Sequence, residues 1–428
     1  MYHFKNYYII NSNYYKGGVI LSFELAIIGG GASGISAAIE AKRESKKARL
    51  DLNVTVFEHM NKPAKKILAT GNGRCNFCNT DLSENHYFGD TDLIKGVLSS
   101  KYNDSIEFFK SMGVLPYFEN GRIYPRSEQA TTIRDALLKT CEILNIKFLT
   151  ECNIDEIQVK NDKFIISNNE FNAVIIATGG NSQKSQGSDG SGYKLLKDFG
   201  HKITDISPAL TALTVCDKSF KDLKGLRVKG NCALYSGRKL LKEEYGEIQF
   251  TENALSGIPV LNISHFANDK KNLYVLFDTC NEFSANDLTK HFKECRYKSP
   301  TLRTEDILSG LIPQKLSYYV MKKAEIKENT PVSKLTDKNI ETLVVTLKQL
   351  EFKIGGVRDF DYSQVTKGGA SASDFNTKTL MSEKQNGLFA CGEILNVNGD
   401  CGGYNLHFAW TSGRLAGASA VKYLNSKG

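Results

Sequence analysis

The sequence predicts an α/β fold in which a doubly wound parallel sheet is interrupted by an inserted β-rich domain. An apolar strand pattern, a glycine-rich turn and a helix pattern follow one another at 23–45, and a second strand pattern ends at Glu58. Parallel strands joined by helical crossovers form such sheets. Two more apolar strand patterns, at 173–178 and 386–394, flank a long stretch of different character. The sheet domain is therefore discontinuous in sequence.

Composition is ordinary for a globular protein. The chain has 428 residues, of which 41% are hydrophobic and 24% are charged. It contains no apolar run of about 18 residues, so we expect no membrane span. The beginning lacks the pattern of a secretory signal, and ten scattered cysteines suggest reduced thiols, so we expect a cytoplasmic protein.

The chain divides into four predicted segments. We expect an N-terminal extension at 1–22, the first part of the sheet domain at 23–190, an insert at 191–354 and the second part at 355–428. Within the insert, a β-rich part covers about 205–265 and a helical part about 283–345. Two interpretations of the extension stay open: a genuine short segment, or a non-native one that precedes a start at Leu21.

The glycine pattern Gly29-x-Gly31-x-x-Gly34 predicts dinucleotide binding by a Rossmann-like domain. The first glycine permits the tight turn, the second allows the backbone to approach a pyrophosphate, and the third lets helix and strand pack closely. Glu58 ends the next strand, where an acid would hold a ribose hydroxyl. A packing turn that binds nothing is the alternative, and the combination of features favours the nucleotide.

Later segments indicate that the dinucleotide is FAD. The strand patterns "VIIATGG" (174–180) and "GLFACGE" (387–393) match flavoproteins with two dinucleotide folds. In that pattern Glu393 would hold the ribityl chain, and the start of the last helix would face the flavin pyrimidine.

Several blocks together resemble the YhiN/BaiN-like family of FAD-dependent oxidoreductases. They lie between residue 23 and the C-terminus and read "KKILATGNGRCNFCN", "GRIYPRSEQA", "VIIATGG", "GSDGSGY", "FTENALSGIPVLNIS", "VTKGGAS" and "GEILNVNGDCGGYNLHFAWTSGRLAG". The resemblance implies a discontinuous FAD domain with a β-rich insert that carries a small helical subdomain. It also implies reduction of a carbon–carbon double bond, with activities in the family on a ribosomal RNA uridine and on steroids.

We therefore predict an FAD enzyme that receives hydride from NAD(P)H and passes it to an unsaturated acceptor. The sequence has no second complete glycine fingerprint, so NAD(P)H should bind transiently. The candidate FAD-binding residues are Gly29, Gly31, Ala32, Ser33, Gly34, Glu58, Lys66, Gly73, Arg74, Asn76, Thr178, Gly179, Gly392, Glu393, Gly403, Asn405 and Leu406.

Cys75 and Cys78 raise three alternatives. A metal site needs about four ligands, and the sequence offers no second CxxC. A redox dithiol beside the flavin is the second alternative, although the resemblance supplies only Cys75 as a family position. We favour a loop that closes over the cofactor. Within that loop Cys75 is either a general acid or, more simply, a packing thiol.

The acceptor is less well defined by the sequence. Arg122, Tyr124 and Arg126 form a candidate substrate clamp. The insert carries 26 basic and 20 acidic residues, and its segment 218–239 holds seven basic residues and one acid. Such a strip suits RNA, so the leading hypothesis is conversion of a 23S rRNA uridine to dihydrouridine. The alternatives are a small-molecule ene-reductase, acting on a steroid-like or other metabolite, and a non-catalytic RNA-binding flavoprotein of ribosome assembly.

Overall fold

The computed structural model describes residues 22–427, so the predicted extension at 1–22 lies almost entirely outside the described residues. The helices are α1 (Ala32–Ala48), α2 (Thr91–Leu98), α3 (Ser105–Lys110), α4 (Ala130–Ile143), α5 (Gly192–Asp198), α6 (Ile258–Ser264), α7 (Ala285–Lys298), α8 (Thr304–Ser309), α9 (Gln314–Lys323), α10 (Asp337–Lys348) and α11 (Tyr404–Asn425). Within 22–427, no helix combines the length and the apolarity that crossing a bilayer requires.

Short strands alternate with these helices. The strands are β1 (Phe23–Ile28), β2 (Leu52–Phe57), β3 (Cys78–Asn79), β4 (Tyr87–Gly89), β5 (Pro116–Glu119), β6 (Arg122–Pro125), β7 (Lys147–Leu149), β8 (Gln158–Lys160), β9 (Lys163–Ile166), β10 (Asn169–Phe171), β11 (Ala173–Ile176), β12 (Ser207–Ala209), β13 (Leu213–Val215), β14 (Arg227–Ser236), β15 (Lys239–Phe250), β16 (Ala254–Ser256), β17 (Leu273–Asp278), β18 (Leu350–Val357), β19 (Val365–Lys367), β20 (Leu388–Ala390) and β21 (Val397–Gly399).

A five-stranded parallel sheet forms the centre of the first domain. Its strand order is β20-β11-β1-β2-β7, so the strand after the insert pairs directly with the strand before it. All four residues of β11 are buried, as expected for a central strand that is covered on both faces. The α/β fold with a discontinuous Rossmann-like FAD-binding domain, predicted from the sequence, is confirmed.

Helix α11 lies directly on α1 because two of its residues are glycines. A Cβ atom at Gly413 would lie 2.2 Å from the carbonyl oxygen of Ser33, and one at Gly417 would lie 2.2 Å from that of Ala37. This close contact brings the N-terminus of α11 to the same edge of the sheet as the glycine-rich turn before α1.

The insert is a closed barrel with the strand order β13-β16-β15-β14-β17-β18 and its own hydrophobic core. Helices α7 to α10 occupy the long connection between β17 and β18. The barrel needs strands from both sides of this helical part, because β18 (350–357) closes it.

The first boundary of the insert differs from the predicted position at 191. Helix α5 (192–198) buries Leu195 and Leu196 in the core of the sheet domain. The chain leaves that domain only afterwards, where β12 pairs with β19. The apolar face of α5 decides this, since a helix packs where its buried side chains find partners.

Candidate active site

One large cavity, of about 900 Å³, runs from the glycine-rich turn to the barrel. It begins at the carboxyl ends of β1 and β11, the edge of a parallel sheet at which ligands usually bind. Its far wall comes from β15 and α6 of the insert. The cavity therefore joins a nucleotide-type site to a second wall that the sheet domain does not supply.

The glycine-rich turn has the geometry of a phosphate cradle. Gly29 has a φ of +106°, and a Cβ atom there would lie 2.4 Å from the carbonyl oxygen of Ala177. A Cβ atom on Gly31, by contrast, would meet nothing within 4 Å, so this residue borders open space in the cavity wall. Gly34 is a packing residue, because its Cβ would lie 1.9 Å from the carbonyl oxygen of Gly29.

Helix α1 begins at this turn without a side-chain cap. The N–H groups of its first turn therefore lack intrahelical acceptors, and Ala32 and Ser33 lie in the cavity wall. An anionic pyrophosphate suits such a helix start, because the N–H groups and the helix dipole both favour negative charge.

Glu58 stands at the end of β2 with its carboxylate held in place. Its Oε2 accepts a hydrogen bond from the N–H of Gly30 at 2.8 Å, and its Oε1 accepts one from Met60 at 2.7 Å. The side chain is buried and lies in the cavity wall beside the cradle. It is placed to accept a hydrogen bond from a ribose hydroxyl.

Thr178, just after β11, carries a buried hydroxyl that has no hydrogen-bond partner within 22–427. The residue lies in the cavity wall next to Gly179, which has a φ of +76°. A buried hydroxyl without a partner is costly, so a ligand that bonds to it would remove that cost.

Glu393 is held by a cation and a backbone amide. Its Oε2 lies 3.3 Å from Nζ of Lys66, and its Oε1 accepts a hydrogen bond from the N–H of Thr366 at 2.8 Å. Gly392 has a φ of +78° and sits against Ser33, where a Cβ would lie 2.3 Å from the hydroxyl oxygen. The turn at 392–394 is thereby fixed onto the start of α1.

The N-terminus of α11 forms another part of the wall. Gly403 has a φ of +98°, and a Cβ there would lie 2.5 Å from the carbonyl oxygen of Cys78. The side chain of Asn405 bonds both the N–H and the carbonyl of Gly399 at 2.8 Å, so it clamps the preceding loop. Leu406 and Asn76 also lie in the wall.

These features fit FAD. The cradle and α1 would hold the pyrophosphate, Glu58 the adenosine ribose, Thr178 and Glu393 the connecting chain, and the start of α11 the flavin ring. The open space at Gly31 and the hydroxyl of Thr178 are the observations that favour an occupant.

Cys75 does not lie in the cavity wall, which corrects its placement as a general acid. Its thiol is fully buried, its backbone has a φ of +57°, and burial raises the pKa of the thiol to about 12. Cys78 points elsewhere, with Sγ 3.4 Å from Nδ1 of His407, and both thiols are free. The packing alternative is favoured because the thiol of Cys75 is buried in the core, away from the cavity. Gly73 also lies outside the wall.

The predicted substrate clamp is only partly assembled. Arg122 and Tyr124 are two positions apart on β6, so their side chains lie on the same face of the strand. Both residues lie in the cavity wall. Arg126 follows the end of the strand and lies outside the cavity wall. Its guanidinium carbon is 5.8 Å from the ring centre of Tyr117. The cation that stacks on Tyr124 is Arg74, at 4.1 Å.

The charge of Arg74 is already paired, although its buried Nε has no hydrogen-bond partner within the described residues. Arg74 forms ion pairs with Glu119 and Glu128. It lies in the wall but is already neutralised, so it supplies less positive charge to a pyrophosphate than the sequence led us to expect.

Sequence reasoning missed Asp400, which lies in the wall two residues before Gly402. Its partner His86 is 314 residues away in the chain, so no local pattern signals the pair. It also missed Tyr245, Ile258 and Pro259 of the barrel wall, although the block around α6 carries part of the resemblance.

The comparisons with known proteins agree with this architecture. The profile described as "HI0933-like protein Rossmann domain" matches residues 23–419. A "3-dehydro-bile acid delta(4,6)-reductase" of Clostridium scindens is 37% identical over 408 residues, which cover 93% of this chain and 99% of the relative.

Two more distant relatives carry another name. A "ribosomal RNA dihydrouridine synthase" of Haemophilus influenzae is 27% identical over 403 residues, which cover 91% of this chain and 96% of the relative. The protein of the same name from Escherichia coli is 25% identical over 400 residues, which again cover 91% of this chain and 96% of the relative. The profile and the relatives span nearly the whole described chain, so this protein belongs to the HI0933-like family and is an oxidoreductase built on an FAD-binding Rossmann domain.

Proposed function

We propose that this protein uses FAD and NAD(P)H to saturate a carbon–carbon double bond in a small, largely apolar molecule. The observation that carries the proposal is the far wall of the cavity, where the barrel contributes Tyr245, Ile258, Pro259 and Leu261. The bile acid reductase, at 37% identity, supports the same substrate class.

The apolar wall is a packed structure. Gly246 of β15 lies against Pro259 of α6, where a Cβ would come within 2.9 Å of the ring. Because β15 and α6 are fixed against each other, their apolar side chains present a surface of defined shape. Ligand sites of this kind are mainly apolar, with few polar groups that orient the ligand. Arg122 is one such polar group in the wall.

The residues of the sheet domain have distinct tasks in this proposal. The cradle at Gly31 and the start of α1 hold a pyrophosphate, and Glu58 accepts from a ribose. The N-terminal end of α11 carries partial positive charge, which stabilises negative charge that develops beside it. FAD, when bound, supplies hydride transfer. The barrel wall excludes water from the acceptor.

Reduction of an rRNA uridine is the second candidate, and the two relatives at 27% and 25% identity favour it. The basic strip at 218–239 gives it less support than the sequence suggested. Lys224 pairs with Glu252 at 2.9 Å. Arg227 pairs with Glu247 at 3.4 Å, because β15 lies beside β14 and carries several acids. Exposed pairs of this kind lower the positive potential available to phosphates.

The test is a two-step anaerobic experiment. The purified protein with FAD is reduced by NADH or NADPH and then mixed with a steroid 4-en-3-one or with unmodified large-subunit rRNA. Reoxidation of the flavin by the enone, with two hydrogen atoms gained by the product, supports the proposal. Reoxidation by RNA alone, with a dihydrouridine found by mass mapping, would replace it by the second candidate. Reduced free FAD is the control for uncatalysed transfer.

A further inference from the structure

The cavity wall contains five carboxylate residues within 22–427, and one of them, Asp400, lies within hydrogen-bond distance of a histidine ring. Four are held by an arginine, a lysine or backbone N–H groups: Glu58, Glu119, Glu247 and Glu393. The fifth, Asp400, has its Oδ2 3.1 Å from Nδ1 of His86, whereas Nδ1 of His59 lies 3.9 Å from Glu58, beyond hydrogen-bond distance. A carboxyl group whose partner can itself exchange a proton is suited to proton transfer.

Asp400 is the inner end of a short hydrogen-bonded chain. Its Oδ2 lies 3.1 Å from Nδ1 of His86, and Nε2 of His86 lies 3.1 Å from Oδ2 of Asp81. The exposed fraction of the side chain rises along this chain, from 14% at Asp400 to 30% at His86 and 61% at Asp81. This hydrogen-bonded chain of side chains thus connects the cavity wall with bulk solvent.

Neighbouring residues hold both His86 and Asp400 in position. The ring of His86 stacks on Tyr404 with a centroid distance of 4.4 Å, and the N–H of Asp400 donates to the carbonyl oxygen of His86 at 2.9 Å. The loop that carries Asp400 is clamped by Asn405 and, at Cys401, by the side chain of Asn262 from the insert. The same loop leads into the start of α11, the part of the wall assigned to the flavin ring.

We propose that Asp400 donates the proton in the reduction of the double bond and that His86 and Asp81 return it from solvent. The inference rests on the proposed function. One carbon of the double bond receives a hydride equivalent, whose electrons come from NAD(P)H. At the other carbon a C–H bond forms as the O–H bond of Asp400 breaks, which leaves a carboxylate. Solvent beside Asp81 then protonates His86 at Nε2, and the resulting imidazolium gives its Nδ1 proton to Asp400. The neutral ring returns to its Nδ1–H form by proton exchange with solvent, so each turnover takes up one proton from solvent.

The surroundings of Asp400 favour the proton-bearing form. Burial raises the pKa of this carboxyl above its ordinary value, and the hydrogen bond and charge of His86 oppose the rise. Glu244 from the barrel raises the pKa further and Lys242 lowers it. A general acid works best when its pKa lies nearer to the working pH than that of an ordinary aspartate.

The test separates the two half-reactions. In Asp400→Asn, the FAD dissociation constant and the rate of flavin reduction by NAD(P)H should stay within about twofold of the wild type. Reoxidation by the enone should slow by about a hundredfold, the usual lower range for a lost general acid. Asp135→Asn, an exposed aspartate on α4, is the matched control and should change neither step.

Two further variants keep the inference falsifiable. Asp400→Glu retains an acid and should recover at least part of the lost reoxidation rate, even where Asp400→Asn folds poorly. His86→Gln should leave the first reoxidation nearly intact and slow the steady-state rate, because only the return of the proton is impaired.

Each contrary result is distinct. Full reoxidation in Asp400→Asn with FAD bound would refute the role of Asp400, while the proposed function would stand. A wild-type protein that no enone reoxidises would refute the proposed function and this inference with it. An unchanged steady-state rate in His86→Gln would refute the relay.

Discussion

Replacing Gly31 by alanine should weaken FAD binding and leave the fold intact. Gly31 caps α1 with a φ of −86°, a conformation that alanine adopts without strain. An added Cβ would meet no protein atom within 4 Å, so the methyl group would enter only the open space of the cavity. That space adjoins the free N–H groups of the first helical turn.

The magnitude follows from the contact that the methyl group would block. A hydrogen bond between a backbone N–H and a charged group contributes about 1.5–3 kcal/mol. Since 1.4 kcal/mol is about a tenfold change in affinity, loss of one such bond should raise the FAD dissociation constant by about ten- to a hundredfold. The apoprotein should lose no more than about 1 kcal/mol, because alanine is a poorer N-cap residue than glycine.

The assay is a fluorescence titration of apoprotein with FAD, combined with thermal unfolding of the apoprotein. Gly310→Ala is the control, because Gly310 also has a negative φ and lies on the helical part of the insert, outside the cavity wall. An unchanged FAD affinity in Gly31→Ala, with unchanged unfolding, would refute the cradle.

The remaining predictions concern stability. Gly34→Ala should destabilise the apoprotein by about 3 kcal/mol or more, seen as a lower unfolding temperature, because its Cβ would lie 1.9 Å from a carbonyl oxygen. Arg414→Met should cost about 3–5 kcal/mol in urea unfolding, since it leaves the buried Glu40 unpaired; an unchanged midpoint would contradict this. Burial lowers the pKa of His407 to about 4, below the ordinary value of about 6.5. The unfolded state therefore binds the extra proton first, and stability should be full above about pH 6.5 and fall as the pH drops toward 4. In His407→Gln, the fall in stability across this range should become shallower but not vanish, because burial also lowers the pKa of His265 and His201.

The parts that sequence predicted well depend on short-range geometry. The turn at Gly29 and Gly31 requires backbone freedom at set positions, and the apolar run of β11 signals a strand buried on both faces. Each of these signals is contained in fewer than ten consecutive residues, so the Rossmann-like domain and its interruption by an insert were predictable. The end of the first segment was not, because α5 packs with residues far from it in the chain.

The candidate site shows the same division. Glu58 follows its strand directly, and the sequence placed it beside the cradle where the structure has it. Cys75 is also in the expected loop. Its thiol faces the core, and only the packing of that loop decides between the core and the cavity. Arg126 was separated from Arg122 by the end of a strand that sequence alone did not locate.

By itself, then, the sequence determined the nucleotide-type domain, its glycine cradle and the existence of an insert, because periodicity and turn chemistry act over a few residues. Only the tertiary structure decided which insert residues face the cradle, how far the basic strip is neutralised and that Asp400 meets His86. Those contacts join residues that are tens to hundreds of positions apart, and they form only when the barrel, the sheet and α11 pack together.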